Sequence, residues 1–155
     1  MTTLNLAIHS EKCTGCRVCE IVCSIAKESA INPKMSRIRV VTAYPGTVDT
    51  LAVCRQCEDA PCVAACPTRA ISIDQKTRAV IVDSATCTGC GVCVDECPCG
   101  AVIIDEKKNV SVICDLCHGE PECAKWCPFD VIECVDPSSA YKSNPIEFGT
   151  ASPNK

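Results

Sequence analysis

Apolar positions along this chain fall in short alternating stretches separated by polar, glycine- and proline-containing loops. Four stretches, Asn5–His9, Thr50–Val53, Ala79–Val82 and Asn109–Ile113, have the character of short strands. Each is followed by a tight loop and then by a short helix. Three later segments, Ala70–Asp74, Ala101–Asp105 and Val131–Asp136, alternate again and predict returning strands. The pattern is therefore an internal repeat, strand–loop–helix–strand, met four times. The first copy departs from it: Ile25-Ala26-Lys27-Glu28 predicts that the helix begun near Glu20 continues, and Arg37–Val41 reads as an inserted strand. Pro45-Gly46 predicts a turn before the second copy, and Pro137–Lys155 carries no periodicity. Disorder and wrapping around a partner subunit are both open to that tail, and wrapping is the expectation.

The loops hold the chemistry. Eighteen of the 155 residues are cysteine. Sixteen form four runs: Cys13, Cys16, Cys19, Cys23; Cys54, Cys57, Cys62, Cys66; Cys87, Cys90, Cys93, Cys97; and Cys114, Cys117, Cys123, Cys127. This is the ligand grammar of cubane iron–sulfur clusters, in which three close cysteines hold one cluster and the fourth reaches another. At four thiolates each, sixteen cysteines imply four [4Fe–4S] clusters. Cysteines two residues apart on a tight loop converge on one small inorganic core. The glycines of Thr14-Gly15 and Thr88-Gly89, with Gly91, let the backbone approach it. Proline after the last cysteine (Pro67, Pro98, Pro128) ends the local helix and turns the chain into the return strand. The first run has Ser24 there instead.

Composition narrows the alternatives. Aromatics are 3% of the chain, so few large side chains are available for a core, and metal coordination is expected to supply folding energy. A secreted disulfide scaffold is disfavoured: Met1–Lys12 shows no basic n-region and no apolar h-region, and disulfides have no reason to repeat this spacing. Zinc knuckles do not suit x2-x2-x3 quartets. No run of 18 apolar residues predicts a membrane span, and a cytoplasmic location is expected. The formal charge is −4. Oxidised clusters with their thiolates bring about −2 each, so the loaded protein would stand near about −12, a poor surface for nucleic acid. All the arginines lie in residues 1–78 and the acidic excess in 79–155, a split that reads equally as a docking face with a basic and an acidic side or as chance clustering on a solvated surface.

The β-loop-α-β unit, twice over, resembles the bacterial two-cluster ferredoxin. The four runs together resemble the polyferredoxin-like electron-transfer subunits of molybdenum and tungsten oxidoreductases, some hydrogenases and carbon monoxide dehydrogenase. The likeness covers about residues 5–136. It implies an α+β fold of two pseudo-symmetric ferredoxin modules: 1–49 with 107–136, and 50–106, followed by the tail 137–155. It also implies that the first run pairs with the last and the middle runs with each other. Cys13, Cys16 and Cys19 would then share a cluster with Cys127, and Cys114, Cys117 and Cys123 with Cys23. Cys54, Cys57 and Cys62 would take Cys97, and Cys87, Cys90 and Cys93 would take Cys66. Pairing of adjacent runs is the alternative. The segment Glu28–Val41 is similar to small subunits of tungsten aldehyde oxidoreductases and related tungsten enzymes such as the benzoyl-coenzyme A reductase system, although Asn32-Pro33-x-x-Ser36-Arg37-Ile38 also resembles carbon monoxide dehydrogenase partners.

Clusters closed by four cysteines have no open position for substrate, so the chain is expected to pass electrons rather than catalyse. The implied partners are a large pterin-binding catalytic subunit and a flavin/NAD subunit or soluble ferredoxin. Four clusters also permit self-association into a longer conductor. A free polyferredoxin carrier is the competing reading. His9 and His118 are expected to face solvent. Cys99 and Cys134 read as core residues on return strands, and Trp126 as a shield over the cluster of Cys127. Arg17 and Arg55, inside cluster loops, would raise the potential of their clusters if they face them.

Overall fold

The computed structural model describes residues 4–42 and 50–136; Pro45-Gly46 and the segment 137–155 lie outside the described residues. Eight short strands are β1 (Asn5–Ile8), β2 (Ile38–Val41), β3 (Thr50–Val53), β4 (Ile71–Ile73), β5 (Val80–Val82), β6 (Ile103–Asp105), β7 (Val110–Val112) and β8 (Ile132–Val135). The helices are α1 (Val18–Glu28) and the single turns α2 (Pro61–Ala64), α3 (Val92–Asp95) and α4 (Glu122–Lys125). The fold is α+β, as the sequence pattern predicts.

Every strand that follows a cysteine run pairs antiparallel with the strand that precedes another run. β2 pairs with β3, β4 with β5 and β6 with β7, while β8 returns to β1 and closes the circuit with Ile8 opposite Ile132 and Asn5 opposite Val135. The inserted strand predicted at Arg37–Val41 is β2, and it supplies the first run with its return strand. Two of the four sheets, β2–β3 and β6–β7, combine one strand from 1–49 or 107–136 with one from 50–106. The helices pack differently: α1 lies on α4 and α2 on α3.

The core is made of small aliphatic side chains and sulfur. Leu6, Ile8, Ile38, Leu51, Val53 and Val80 are fully buried, and Cys19, Cys23, Cys54, Cys62, Cys93, Cys114 and Cys123 share the same cluster. Hairpins are closed by aspartates. Asp74 accepts the N–H groups of Lys76 and Thr77 at 2.9 and 2.7 Å, and Asp105 those of Lys107 and Lys108 at 2.9 and 3.2 Å. Such Asx turns satisfy backbone donors where the chain reverses.

Candidate iron–sulfur sites

The four loops share a backbone conformation that explains how the cysteines converge. The residue two beyond the first cysteine of every run is left-handed: Gly15 (φ 69°), Gln56 (φ 48°), Gly89 (φ 65°) and Leu116 (φ 55°). Glycine adopts this at no steric cost. At Gly89 a side chain is also barred by contact, since a Cβ would stand 2.6 Å from the carbonyl oxygen of Asn109. Gln56 has no such freedom and is held by its own amide, which donates to the Cys114 carbonyl at 2.8 Å and accepts from Val80 N–H at 2.7 Å.

A second repeat follows each Cys-Pro. The residue three past the cysteine is again left-handed: Arg69 (φ 56°), Gly100 (φ 56°) and Asp130 (φ 49°). The turn swings the next N–H back at sulfur: Ala101 N–H donates to Cys97 Sγ and Val131 N–H to Cys127 Sγ, each at 3.4 Å. In the first run, where Ser24 replaces proline, the helix runs on and Arg37 N–H reaches Cys23 Sγ at 3.3 Å from the far side of the insert. Ser24 is fully buried; its hydroxyl donates to the Ile21 carbonyl at 2.8 Å and accepts Asn32 N–H at 3.2 Å. Each fourth sulfur so reached gains a backbone dipole suited to a thiolate ligand.

Thiols from different runs meet. Cys13, Cys16, Cys19 and Cys127 line one cavity with Val40, Leu51 and Ile132. Cys114 and Cys123 lie within electrostatic reach of Cys23 and Cys117, Cys54 and Cys62 of Cys97, and Cys87 of Cys66. Burial, with the charge of Glu20 added, pushes the Cys19 thiol up to about 12. Burial does the same to Cys114, to about 12, and to Cys62, to about 11. A buried thiol cluster of this kind is costly without metal and fits one well. Among the described residues, no three His, Cys, Asp or Glu side chains close on a single metal ion. The donor set, all sulfur and in the first quartet arranged around a cavity, fits an iron–sulfur core.

Charged side chains brace these loops. Asp115, in the fourth run, pairs with Lys27 of α1 at 2.7 Å and with Arg37 at 2.9 Å. Burial opposes ionisation of Asp115, but Lys27 and Arg37 outweigh it and hold the carboxyl below its ordinary value. Arg17 caps α1 and donates to the buried Glu20 carboxylate at 3.3 Å, and Glu20 accepts Val40 N–H at 2.7 Å. Arg39 donates to the Gly100 carbonyl. Arg55 stands close enough to Cys57 and Cys99 to favour their thiolates.

Three expectations need correction. Cys134 lies on β8, but Cys99 sits in the turn before β6, where its thiol hydrogen-bonds Cys57. That bond pulls the Cys57 thiol down and, together with burial, pushes Cys99 up. The tight Cys-Pro-Cys-Gly turn holds Cys99 off the strand. Trp126 does not shield a cluster: it is 63% exposed, on the rim of a groove with Ile25, His118 and Cys117. Trp126 is the C-cap after α4, where the chain has already left the helix, so it stays outside while Cys127 turns in to line the cavity of the first quartet. His118 is exposed as expected, whereas His9 is half-buried against Glu133 on β8, at 3.3 Å.

Comparison with known proteins agrees with this geometry. Residues 49–137 match the 4Fe-4S dicluster domain family and residues 10–28 a 4Fe-4S binding domain. The aliphatic sulfonate oxidoreductase polyferredoxin-like subunit of Pyrococcus furiosus is 48% identical, covering 79% of this chain and 70% of the relative. This chain belongs to the polyferredoxin-like iron–sulfur electron-transfer proteins. Electron transport protein HydN of Escherichia coli is 37% identical, covering 82% of this chain and 85% of the relative. Among solved structures, a chain of the active site complex BamBC of benzoyl coenzyme A reductase superposes with TM-score 0.52 at 27% identity, covering 87% of this chain and 80% of that one. The polyferredoxin-like chain is an iron–sulfur electron-transfer protein of the oxidoreductase-subunit kind and not itself a catalyst. Among its described residues no helix is long and apolar enough to cross a membrane.

Proposed function

We propose that this chain holds four [4Fe–4S] clusters and relays electrons between a tungsten (or molybdenum) pterin subunit of aldehyde oxidoreductase type and a ferredoxin or flavin/NAD-linked partner. The ligand sets are Cys13, Cys16, Cys19 with Cys127; Cys114, Cys117, Cys123 with Cys23; Cys54, Cys57, Cys62 with Cys97; and Cys87, Cys90, Cys93 with Cys66. The observation that carries this reading is the meeting of thiols across runs, first with last and second with third. The packing of α1 on α4 and α2 on α3 supports the same division into modules 1–49 with 107–136, and 50–106. The segment 137–155 is assigned to contact with a partner.

Bound cubanes supply one-electron transfer and, with every corner held by cysteine, nothing else. The chain's own residues do the remainder. Buried aliphatic side chains such as Leu51 and Ile132 exclude water from the first quartet. The N–H groups of Arg37, Ala101 and Val131 polarise sulfur, and the Lys27–Asp115–Arg37 brace fixes the last loop against α1. Sixteen reduced thiols suit a reducing cytoplasm.

The names of the relatives support a subunit role: one belongs to an aliphatic sulfonate oxidoreductase, and BamBC is an active site complex of benzoyl coenzyme A reductase. The likeness to HydN, named only as an electron transport protein, favours a second reading, a free-standing carrier. Anaerobic purification from the native source, with iron, sulfide, tungsten and molybdenum analysis, tests both. We expect about sixteen irons per chain and a large tungsten-bearing subunit in the same peak. A stable brown monomer would favour the carrier, and iron far below that count would overturn the cluster assignment.

A further inference from the structure

The four quartets differ in what faces their sulfurs. Ser111, on β7, is only 6% exposed, and its side chain is turned to the third run. Its hydroxyl lies 3.1 Å from Cys93 Sγ and 3.5 Å from Cys87 Sγ, and its N–H donates to Cys87 Sγ at 3.4 Å. On the other side of the same quartet, the Thr68 hydroxyl lies 3.7 Å from Cys66 Sγ. A thiolate that binds iron has no proton to give, so in the loaded protein both hydroxyls can only donate. At the positions that match Thr68, two residues past the fourth cysteine, the other runs carry Cys99 and Phe129 after their Cys-Pro. Cys99 turns a weaker thiol donor to Cys57, and Phe129 offers no donor. Among the described residues, the hydroxyls seen against cysteine sulfur are those of Ser111 and Thr68, and both serve one quartet.

The physical consequence is directional. The added electron makes a cluster more negative, and its sulfurs carry part of that charge. An O–H dipole aimed at sulfur therefore stabilises the reduced form more than the oxidised form and raises the reduction potential. Burial strengthens the effect, because little water competes with the dipole at Ser111. We propose that Ser111, assisted by Thr68, makes the cluster on Cys66, Cys87, Cys90 and Cys93 the highest-potential centre of the chain. An electron entering the protein then comes to rest there.

This inference rests on the four-cluster reading, and the test separates the two. Anaerobic holoprotein is first assayed for iron, then titrated with reductant while paramagnetic signals are followed. Ser111→Ala is expected to move the highest midpoint potential downward and leave the other three in place. Ser111→Thr keeps the hydroxyl and is expected to leave that midpoint high. Thr68→Val, at a half-buried turn, is expected to give a smaller downward shift and carries the test if Ser111→Ala loses iron. A wild type well short of about sixteen irons would remove the underlying reading. A fully loaded wild type whose highest midpoint is unmoved by either variant, or whose shift falls on a lower-potential signal, would overturn the assignment to Ser111 alone.

Discussion

At Asp115 one carboxylate answers two cations that arrive from different parts of the chain, Lys27 from α1 and Arg37 from the insert. All three side chains are mostly buried, so removing the carboxylate leaves two cations without a counter-ion in a poorly hydrated site. Asp115→Ala is expected to cost about 3 kcal/mol, read as a lower denaturant midpoint of the anaerobic holoprotein. Asp115→Asn, which keeps an acceptor for Cys117 N–H, should lose less. Because the Asp115 carboxyl is held below its ordinary value, its contribution is present above the unfolded carboxyl range and fades as pH falls through the depressed one. The difference between wild type and variant should shrink in that acid window; a constant difference would refute the brace. Such residues were only partly legible in the sequence. Gly15 and Gly89 announce their left-handed turns by being glycine, whereas Gln56 and Leu116 adopt the same conformation under tertiary hydrogen bonds and packing that no local pattern encodes. Cys99 reads as a strand residue only by its nearness to the return strand, and its hydrogen bond to Cys57 depends on a run distant in sequence.

Among the elements, α1 is the exception that shows what the prolines do. The other three helices are single turns stopped by Cys-Pro, and their left-handed third residue returns an N–H to sulfur at Cys97 and Cys127. In α1 the chain continues past Cys23 through Glu28, and the buried Ser24 ties the helix to the strand-forming insert. Proline at position 24 would look like a restoration of the repeat, yet it falls in the middle of a helix and deletes both hydroxyl bonds. Ser24→Pro is expected to destabilise by about 3 kcal/mol, with loss of helical ellipticity and of iron. A variant that keeps its full iron content and stability would show that the insert, not the helix, positions Cys23. The existence of β2 could be read from Arg37-Ile38-Arg39-Val40-Val41, since alternation is local. Its partner could not: β3 pairs with β2 across residues 43–49, and two ferredoxin modules taken alone would not require strands exchanged between them.

For the molecule as a whole, the core that packs Leu6, Ile8, Ile38 and Leu51 is shared with seven buried cysteines. Aliphatic burial of that size is small for a chain of this length, and the thiols pushed upward by burial gain nothing from being close together without metal. Stripping the iron with an anaerobic chelator is therefore expected to abolish most secondary structure by circular dichroism, in one step with the loss of visible absorbance. Retention of native ellipticity by the colourless chain would contradict that account. The four runs, the α+β class and the electron-transfer role were legible because coordination spacing is written in consecutive residues. Which thiols meet is not written in the spacing, because it depends on the route of the chain in space, and only the family resemblance implied it.

That route has a consequence for biosynthesis. β1 finds its partner only in β8, and Cys19 finds Cys127 only near the far end of the described chain. On the proposed ligand sets, the thiols of the first run wait, reduced and uncapped, until the fourth run has been translated. The middle runs, by contrast, emerge next to each other. Assembly factors would thus meet an inner pair of sites ready to load while the outer pair is still half made.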